Sequence, residues 1–213
     1  MQEQLASRFC ELWVRSAGAD VASVWAELRQ HYQESHRHYH NLNHLAHCLD
    51  ALDNARAQIQ EPGAVEMAIW FHDVIYQYGA KDNEALSAAL FRELAAATMS
   101  VDFIDRVCDL ILATRHVGVA ADTETAFMVD IDLSGFGLPW EGYLADSMAL
   151  RKEAPDSSDE QYYEGKLRFL NELLAWPRIF QTDYFNKLLE DRARANISRF
   201  IRDLRSKGFA VTL

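Results

Sequence analysis

The sequence predicts an all-α protein, and three observations lead to this prediction. Glycine and proline, the residues least compatible with helix interiors, number only nine and four among 213 residues. Apolar residues recur at spacings of three and four along most of the chain, as they do in helices with one buried face. No segment of any length alternates between apolar and polar residues as a half-buried strand does.

The periodicity predicts ten helices and one domain, 1–213, with an exposed loop at 154–160. Within that domain we expect the core of the functional site at about 39–135 and the C-terminal helices at about 138–206. The expected helices cover residues 3–16, 20–33, 41–59, 63–75, 83–98, 101–114, 124–135, 139–153, 158–175 and 183–206.

Local signals support the helices of the first half in turn. The first three have a regular apolar stripe, and Pro62-Gly63 closes the third. The fourth is apolar almost all round, which is typical of a central buried helix. A polar loop precedes the fifth helix, and Ser100 suits the N-cap position of the sixth.

In the second half, the residues that begin and end the helices are easier to identify. Gly135-Phe136-Gly137 ends the seventh helix, and Pro139 suits the first turn of the eighth. Ser157 and Glu160 form a capping-box pattern before the ninth helix. Thr182 can cap the long amphipathic tenth helix, which ends before Gly208. Whether that helix closes the domain or forms a homodimer is left open by its periodicity.

Charge and cysteine content narrow the expected partners and compartment. The net charge of -11 disfavours binding to duplex nucleic acid, which needs a basic surface. The first residues lack the basic segment and apolar run of a signal peptide, so we expect a cytoplasmic protein without a membrane partner. The three cysteines form no CxxC pair, so we expect core positions rather than disulfides or a thiolate zinc site: Cys10, Cys48 and Cys108.

Histidine and aspartate residues that could bind a metal ion or take part in catalysis occur in three segments. Six of the eight histidines lie within seventeen residues, and His40 and His44 are one helical turn apart. His72 and Asp73 interrupt the most apolar predicted helix, where unpaired ionisable groups are costly to bury. Asp130 and Asp132 form a third polar site in apolar surroundings. Imidazole and carboxylate ligands suit Mn²⁺, Fe²⁺, Co²⁺, Ni²⁺, Zn²⁺ or Mg²⁺, and a metal-free hydrogen-bonded network is the alternative.

Five ordered motifs resemble one family, the HD-domain superfamily of metal-dependent phosphohydrolases, and within it a bacterial branch of predicted phosphohydrolases. The match covers about 39–135 and continues more loosely through Tyr162-Tyr163-x-Gly165 to the end. The motifs are Tyr39-His40-Asn41-x-x-His44, Phe71-His72-Asp73, Asp82-Asn83-Glu84-x-x-Ser87-Ala88, Ala113-Thr114-x-His116 and Asp130-x-Asp132-Leu133.

The resemblance implies an all-helical HD-type fold and a ligand set for one divalent metal ion or two. The implied ligands are His44, His72, Asp73 and Asp132, with Asp130 as the rival for the last position. They leave open coordination positions for water and a phosphate oxygen. The other four histidines of the N-terminal cluster are expected in loops or on the surface: His31, His36, His38 and His47.

The implied activity is hydrolysis of a phosphate ester or anhydride, with a small phosphorylated molecule such as a nucleotide as the substrate. Asp73 would also orient the water, and Glu84 would act as general base or support a ligand. His116 would donate to the phosphate or bind a second metal ion with His40.

One departure from the family pattern leaves a second function open. Many HD enzymes carry arginine directly after the last aspartate, whereas this chain has Leu133. Phosphate contacts then fall to other cations, and the alternative is a non-catalytic, metal-containing module that senses a phosphorylated ligand. The candidate cations are Arg115, Arg151, Lys152 and Lys166.

Overall fold

A computed structural model describes residues 1–211 and confirms the all-α class, since this range contains ten α-helices and no strand. Short 3-10 helices follow α3 at Arg56–Gln58 and α7 at Ser134–Gly137. The helices are α1 Gln2–Arg15, α2 Val21–Tyr32, α3 Leu42–Ala55, α4 Pro62–Phe71, α5 Asn83–Ala95, α6 Val101–Ala113, α7 Thr123–Leu133, α8 Trp140–Lys152, α9 Asp159–Ala175 and α10 Asp183–Ser206.

The chain forms two compact units, one covering Met1–Asp132 and the other beginning at Leu133. In the first unit α4 is the central helix, and every residue from Ala64 to Phe71 is buried. It packs against α1, α3, α5 and α6, and its aromatic rings join those of α1 and α5. Full burial of each large apolar side chain contributes roughly 1.5–3 kcal/mol, so burial of α4 contributes strongly to the stability of the unit.

One charged residue, Glu66, lies within this apolar helix. Arg8 donates to one of its carboxylate oxygens at 2.7 Å, and Arg56 donates to the other at 2.5 Å. A buried carboxylate needs such partners, because removing one partner of a buried ion pair costs about 3–5 kcal/mol.

In the second unit, α10 packs against α9 and the 3-10 helix Ser134–Gly137. The Asn196 side chain donates to the carbonyl oxygens of Phe136 and Leu138 at 2.9 and 2.8 Å. A Cβ atom at Gly137 would lie 2.7 Å from the Leu189 Cβ, so only glycine permits this close approach.

Several predicted helix ends are wrong. The third and fifth helices end at Ala55 and Ala95, before the predicted 59 and 98. The fourth helix ends at Phe71, so His72 and Asp73 follow the helix instead of interrupting it. The ninth helix opens with a capping box between Ser158 and Gln161, one residue later than the predicted Ser157 pattern. Within residues 1–211, no helix combines the length and the apolar character that a bilayer span requires.

Candidate metal centre

Four side chains from three separate segments converge in the first unit. His44 comes from α3, His72 and Asp73 from the segment directly after α4, and Asp132 from the last turn of α7. The Nε2 atoms of His44 and His72 lie 3.2 Å apart. The Asp132 Oδ1 lies 3.3 and 3.4 Å from these nitrogens, and the Asp73 Oδ2 lies 3.5 and 3.0 Å from them.

The cap of α3 places His44. The Asn41 side-chain oxygen accepts a hydrogen bond from the Asn43 amide at 2.8 Å, which starts the helix at Leu42. The same side chain donates to the His38 carbonyl at 2.9 Å and so holds the preceding loop. His44 therefore lies in the first turn of α3, with its ring buried.

The His72 ring has a defined orientation and protonation pattern. Its Nδ1 lies 2.8 Å from the Ile69 carbonyl oxygen, which can only accept a hydrogen bond. Nδ1 therefore carries the hydrogen, and in the neutral ring Nε2 has the free lone pair. A backbone carbonyl on the far nitrogen is the usual support of a metal-binding histidine.

The Asp73 carboxylate contains a buried oxygen without a hydrogen bond. Oδ2 has almost no solvent contact, and none of the described residues donates a hydrogen bond to it. It nevertheless lies close to the nitrogens of both imidazoles. A buried anionic oxygen in this position needs positive charge nearby, which protonated imidazoles or a bound cation would provide.

Asp132, and not its rival Asp130, reaches the group. Residues two apart on a helix point about 200° apart, so both carboxylates cannot face the same point. Asp130 is fully buried, whereas Asp132 directs Oδ1 toward the two imidazoles. Its second oxygen, Oδ2, lies 2.9 Å from the His116 Nε2.

His116 adopts an unusual backbone conformation to make that contact. Its φ of 55° lies in the left-handed region, which a non-glycine residue occupies at a cost of about 1–2 kcal/mol. Nε2 donates to Asp132, so the neutral ring leaves Nδ1 as an acceptor. Nδ1 is buried and has no hydrogen-bond partner among the described residues. The structure thus places His116 behind a predicted ligand.

The surroundings favour positive charge on both central imidazoles. Burial acts to lower the pKa of His44 and His72. Acidic neighbours outweigh burial, with Cys48 and Tyr39 contributing most around His44 and Asp73 contributing most around His72. The pKa of each ring is therefore raised well above its usual value.

The two carboxyl groups shift in the opposite direction. Burial acts to raise the pKa of Asp73 and Asp132. The charges of His72 and His40 outweigh it at Asp73, and the hydrogen bond from His116 is the largest opposing effect at Asp132. Both pKa values lie well below the usual range. The carboxylates thus require positive charge, which protons on imidazoles or a bound cation can supply.

The four side chains fit a divalent ion. Ligands 2.0–2.2 Å from an ion lie about 2.8–3.6 Å from one another in tetrahedral or octahedral arrangements. The five measured separations run from 3.0 to 3.5 Å. Two neutral imidazoles and two carboxylates carry a charge of -2, which a divalent cation balances. This donor set suits the first-row ions and Mg²⁺ predicted from the sequence.

Cys48 lies at the same place, although sequence reasoning assigned it only to the core. His44, Cys48, His72 and Asp132 each place a potential ligand atom within 4.8 Å of the others and could hold a metal ion. The Cys48 Sγ lies 3.7 Å from Nε2 of His44 and 3.9 Å from Nδ1. A ligand ahead of Nε2 would be much closer to Nε2 than to Nδ1, so the sulfur lies beside the ring. The sequence did contain a signal for this proximity, since residues four apart on a helix, such as His44 and Cys48, lie on the same face.

The Asp82-Asn83-Glu84-x-x-Ser87 motif supports the segment that follows Asp73. The Asn83 side chain pairs with both backbone groups of Gln77 at 3.0 Å. The Ser87 hydroxyl pairs with both backbone groups of Ile75 at 3.1 and 3.3 Å. Glu84 forms an ion pair with Arg115 at 3.7 Å and none with the central histidines. Its predicted role as general base stays a prediction.

The remaining candidates do not belong to the group of four converging side chains, although the His40 ring lies 5.8 Å from that of His44. The His40 ring stacks on Tyr76 at 3.9 Å, and His40 is not a member of the potential ligand group found in the described residues. In the second unit, Arg151 pairs with Asp159 and with two backbone carbonyls, and Lys152 is exposed. The Lys166 amine lies over the Phe136 and Phe169 rings.

The other four histidines have mixed environments. His38 is exposed, His31 and His47 are half-buried within α2 and α3, and His36 lies in the loop between these helices. The prediction of loop or surface positions therefore holds for His36 and His38. His31 and His47 lie in helices and not in loops, and both are only partly exposed.

Comparison of the chain with protein-family models, curated proteins and solved structures finds no match.

Proposed function

We propose that the chain is a metal-dependent phosphohydrolase of the HD type, which cleaves a phosphate ester or anhydride of a small molecule. The observation that carries the proposal is the convergence of two imidazole nitrogens and two carboxylate oxygens at separations of 3.0–3.5 Å. The ordered motifs that resemble HD phosphohydrolases contain all four residues. Together they favour hydrolysis over a metal-free polar network.

The residues around the group have complementary tasks in this reaction. A divalent ion at the group supplies an activated water and a positive charge that stabilises the developing charge on a phosphoryl group. His44, His72, Asp73 and Asp132 would hold it. The Ile69 carbonyl keeps the His72 Nε2 directed at the group, and His116 fixes Asp132. The His116 Nδ1 has no hydrogen-bond partner among the described residues, and it is the ring atom that would hold a proton for the departing group.

The substrate would approach from the carboxylate side. The side chains of Asp73 and Asp132 are 15% and 16% exposed, whereas those of His44 and His72 are 2% and 1% exposed. This partial exposure of the two carboxylates would suit a small phosphorylated molecule. Nucleotides are the class to test first, because HD enzymes resembling this chain act on nucleotides.

A phosphate-release screen tests the proposal. The purified chain is incubated with mononucleotides, guanosine tetraphosphate and cyclic nucleotides in the presence of Mn²⁺, Co²⁺, Ni²⁺ or Mg²⁺. We expect turnover of at least one substrate that His72→Gln and Asp132→Asn abolish. The matched control is His38→Gln, which alters an exposed histidine near the same helix and should leave turnover unchanged. Turnover that persists in His72→Gln, or none with any pair of metal and substrate, contradicts the proposal.

One observation favours a second candidate, a non-catalytic module that senses a phosphorylated ligand. Leu133, a buried apolar residue, occupies the position where many HD enzymes carry arginine. A chain that binds nucleotide with a metal ion present but releases no phosphate would favour this function. Turnover that Asp73→Asn abolishes would exclude it.

A further inference from the structure

Arg37 is a buried cation that sequence reasoning did not single out. Its side chain is 0% exposed, although it lies in the irregular loop between α2 and α3. The Tyr32 and Tyr76 rings cover the guanidinium, with its central carbon 5.3 and 5.7 Å from the ring centroids. Burying a cation here is costly, so its hydrogen bonds must compensate for the lost water.

The guanidinium donates to three backbone carbonyls and one carboxylate. Nη1 donates to the Asp73 carbonyl at 2.5 Å and to the His40 carbonyl at 3.2 Å, and Nη2 donates to the Val74 carbonyl at 2.8 Å. Nε donates to a Glu34 carboxylate oxygen at 2.8 Å. Glu34 balances the charge, and the fork of the guanidinium serves the backbone.

These carbonyls belong to the two segments that carry the predicted ligands. Asp73 is itself a ligand, and its carbonyl and that of Val74 lie just beyond α4, where helical hydrogen bonds have ended. His40 lies immediately before the capped start of α3, which carries His44. The guanidinium therefore joins two segments directly. The ligands that these segments carry, His44 and His72, are 28 positions apart in the sequence.

We propose that Arg37 is a positioning residue for the metal centre, which fixes the His72-Asp73 segment relative to the α3 segment through the Asp73, Val74 and His40 carbonyls. This inference rests on the proposed function, since it assumes that the group binds a divalent ion. Arg37 touches no ligand side chain and acts only through the backbone. Lysine cannot replace it, because an ammonium group lacks the planar fork that reaches carbonyls on two segments.

The test measures Co²⁺ binding to the full chain and its absorption spectrum, independently of any enzymatic activity. Arg37→Met removes the bridge, and Arg37→Lys keeps the charge opposite Glu34 in case the first variant fails to fold. The matched control is Arg8→Met, which removes another arginine of the same unit that joins α1 to Asp53 and Glu66. Arg37→Met and Arg8→Met should both lower the melting temperature, but only Arg37→Met should alter the metal centre.

We expect Arg37→Met to weaken Co²⁺ binding by roughly 10–100-fold and to alter the Co²⁺ spectrum, as loss of an outer support of a metal ligand does. Arg37→Lys should lie between that variant and the wild type, and Arg8→Met should keep the wild-type affinity and spectrum. Wild-type affinity and spectrum in the folded Arg37 variants overturn the positioning role. Failure of the wild-type chain to bind Co²⁺ overturns both proposals, whereas binding without phosphate release overturns only the proposed hydrolysis.

Discussion

The His116 Nε2 lies 2.9 Å from Oδ2 of Asp132, the carboxylate whose other oxygen faces both central imidazoles. One side chain thus fixes the orientation of a predicted metal ligand from behind. It does so from a left-handed backbone conformation, which indicates that the surrounding structure holds this residue in place.

His116→Ala should therefore weaken metal binding by roughly 10–100-fold, because Asp132 loses the hydrogen bond that orients its carboxylate. His116→Asn should weaken it less, since asparagine tolerates a positive φ and its amide can still donate. Isothermal titration with Mn²⁺ measures both variants. Equal affinity of His116→Ala and the wild type would show that the hydrogen bond does not support the centre.

Several helix ends could be predicted because the signal is local. Ser100 and Thr182 cap α6 and α10 as expected, each accepting a backbone hydrogen bond three residues later. The tenth helix spans the predicted 183–206, and Gly208 follows with a φ of 93°. Such signals depend only on the residues beside the helix end.

Other helix ends depend on partners far away in sequence. Val74 continues the apolar pattern of α4, so periodicity alone extended the helix past Phe71. The chain leaves the helix there because Arg37, Ser87 and Asn83 bind the backbone of the segment that follows. At α9 the sequence pattern placed the capping box at Ser157 and Glu160, whereas the helix uses Ser158 and Gln161, one residue later.

The candidate site shows the same division. The motifs identified all four converging residues, because their residue types and order are specific. Arg37 escaped notice because its function is to bind backbone carbonyls, and no side-chain pattern records such contacts. Cys48 was assigned to the core by its apolar context, and its approach to His44 became visible only once α3 was in place.

Ser87→Ala should destabilise the first unit by roughly 1–3 kcal/mol, because the Ile75 N–H loses its acceptor and the Ile75 C=O loses its donor. Urea unfolding measures the free energy of unfolding. Ser7→Ala is the matched control, since that hydroxyl contacts Glu11 on an exposed face of α1 and its loss should cost less than about 0.5 kcal/mol. Equal costs for the two variants would contradict the assigned role of Ser87.

Cys48→Ser should change metal affinity by less than the roughly tenfold that loss of an outer support costs. The reason is that the sulfur lies beside the His44 ring, at similar distances from both ring nitrogens. Asp132→Asn, measured in parallel by titration with Mn²⁺ and Zn²⁺, should lose binding. Loss of the ion in Cys48→Ser would instead make the thiol a ligand.

Lys166 should make stability depend on pH in the alkaline range. Burial lowers its pKa from the ordinary 10.5 to about 8. Between these values the unfolded chain holds a proton that the folded chain has released, so the free energy of unfolding gains a contribution that rises with pH. Lys166→Met removes this contribution and also the cost of burying the charge below pH 8.

The measurement is urea unfolding of the wild type and Lys166→Met between pH 7 and 10. We expect Lys166→Met to be the more stable at pH 7 and its advantage to shrink as the pH rises. Taking the difference between the two proteins removes the titration of all other groups that the substitution leaves unchanged. A difference that does not vary with pH would show that Lys166 titrates normally.

The most direct test of the metal centre is elemental analysis of the purified chain after loading with Mn²⁺, Co²⁺, Ni²⁺ or Zn²⁺ and removal of free ion. We predict one tightly held ion per chain in the wild type and in His38→Gln, and loss of that ion in His72→Gln and Asp132→Asn with the helical content retained. A wild-type chain that retains none of these ions, or a His72→Gln chain that retains as much as the wild type, would contradict the account.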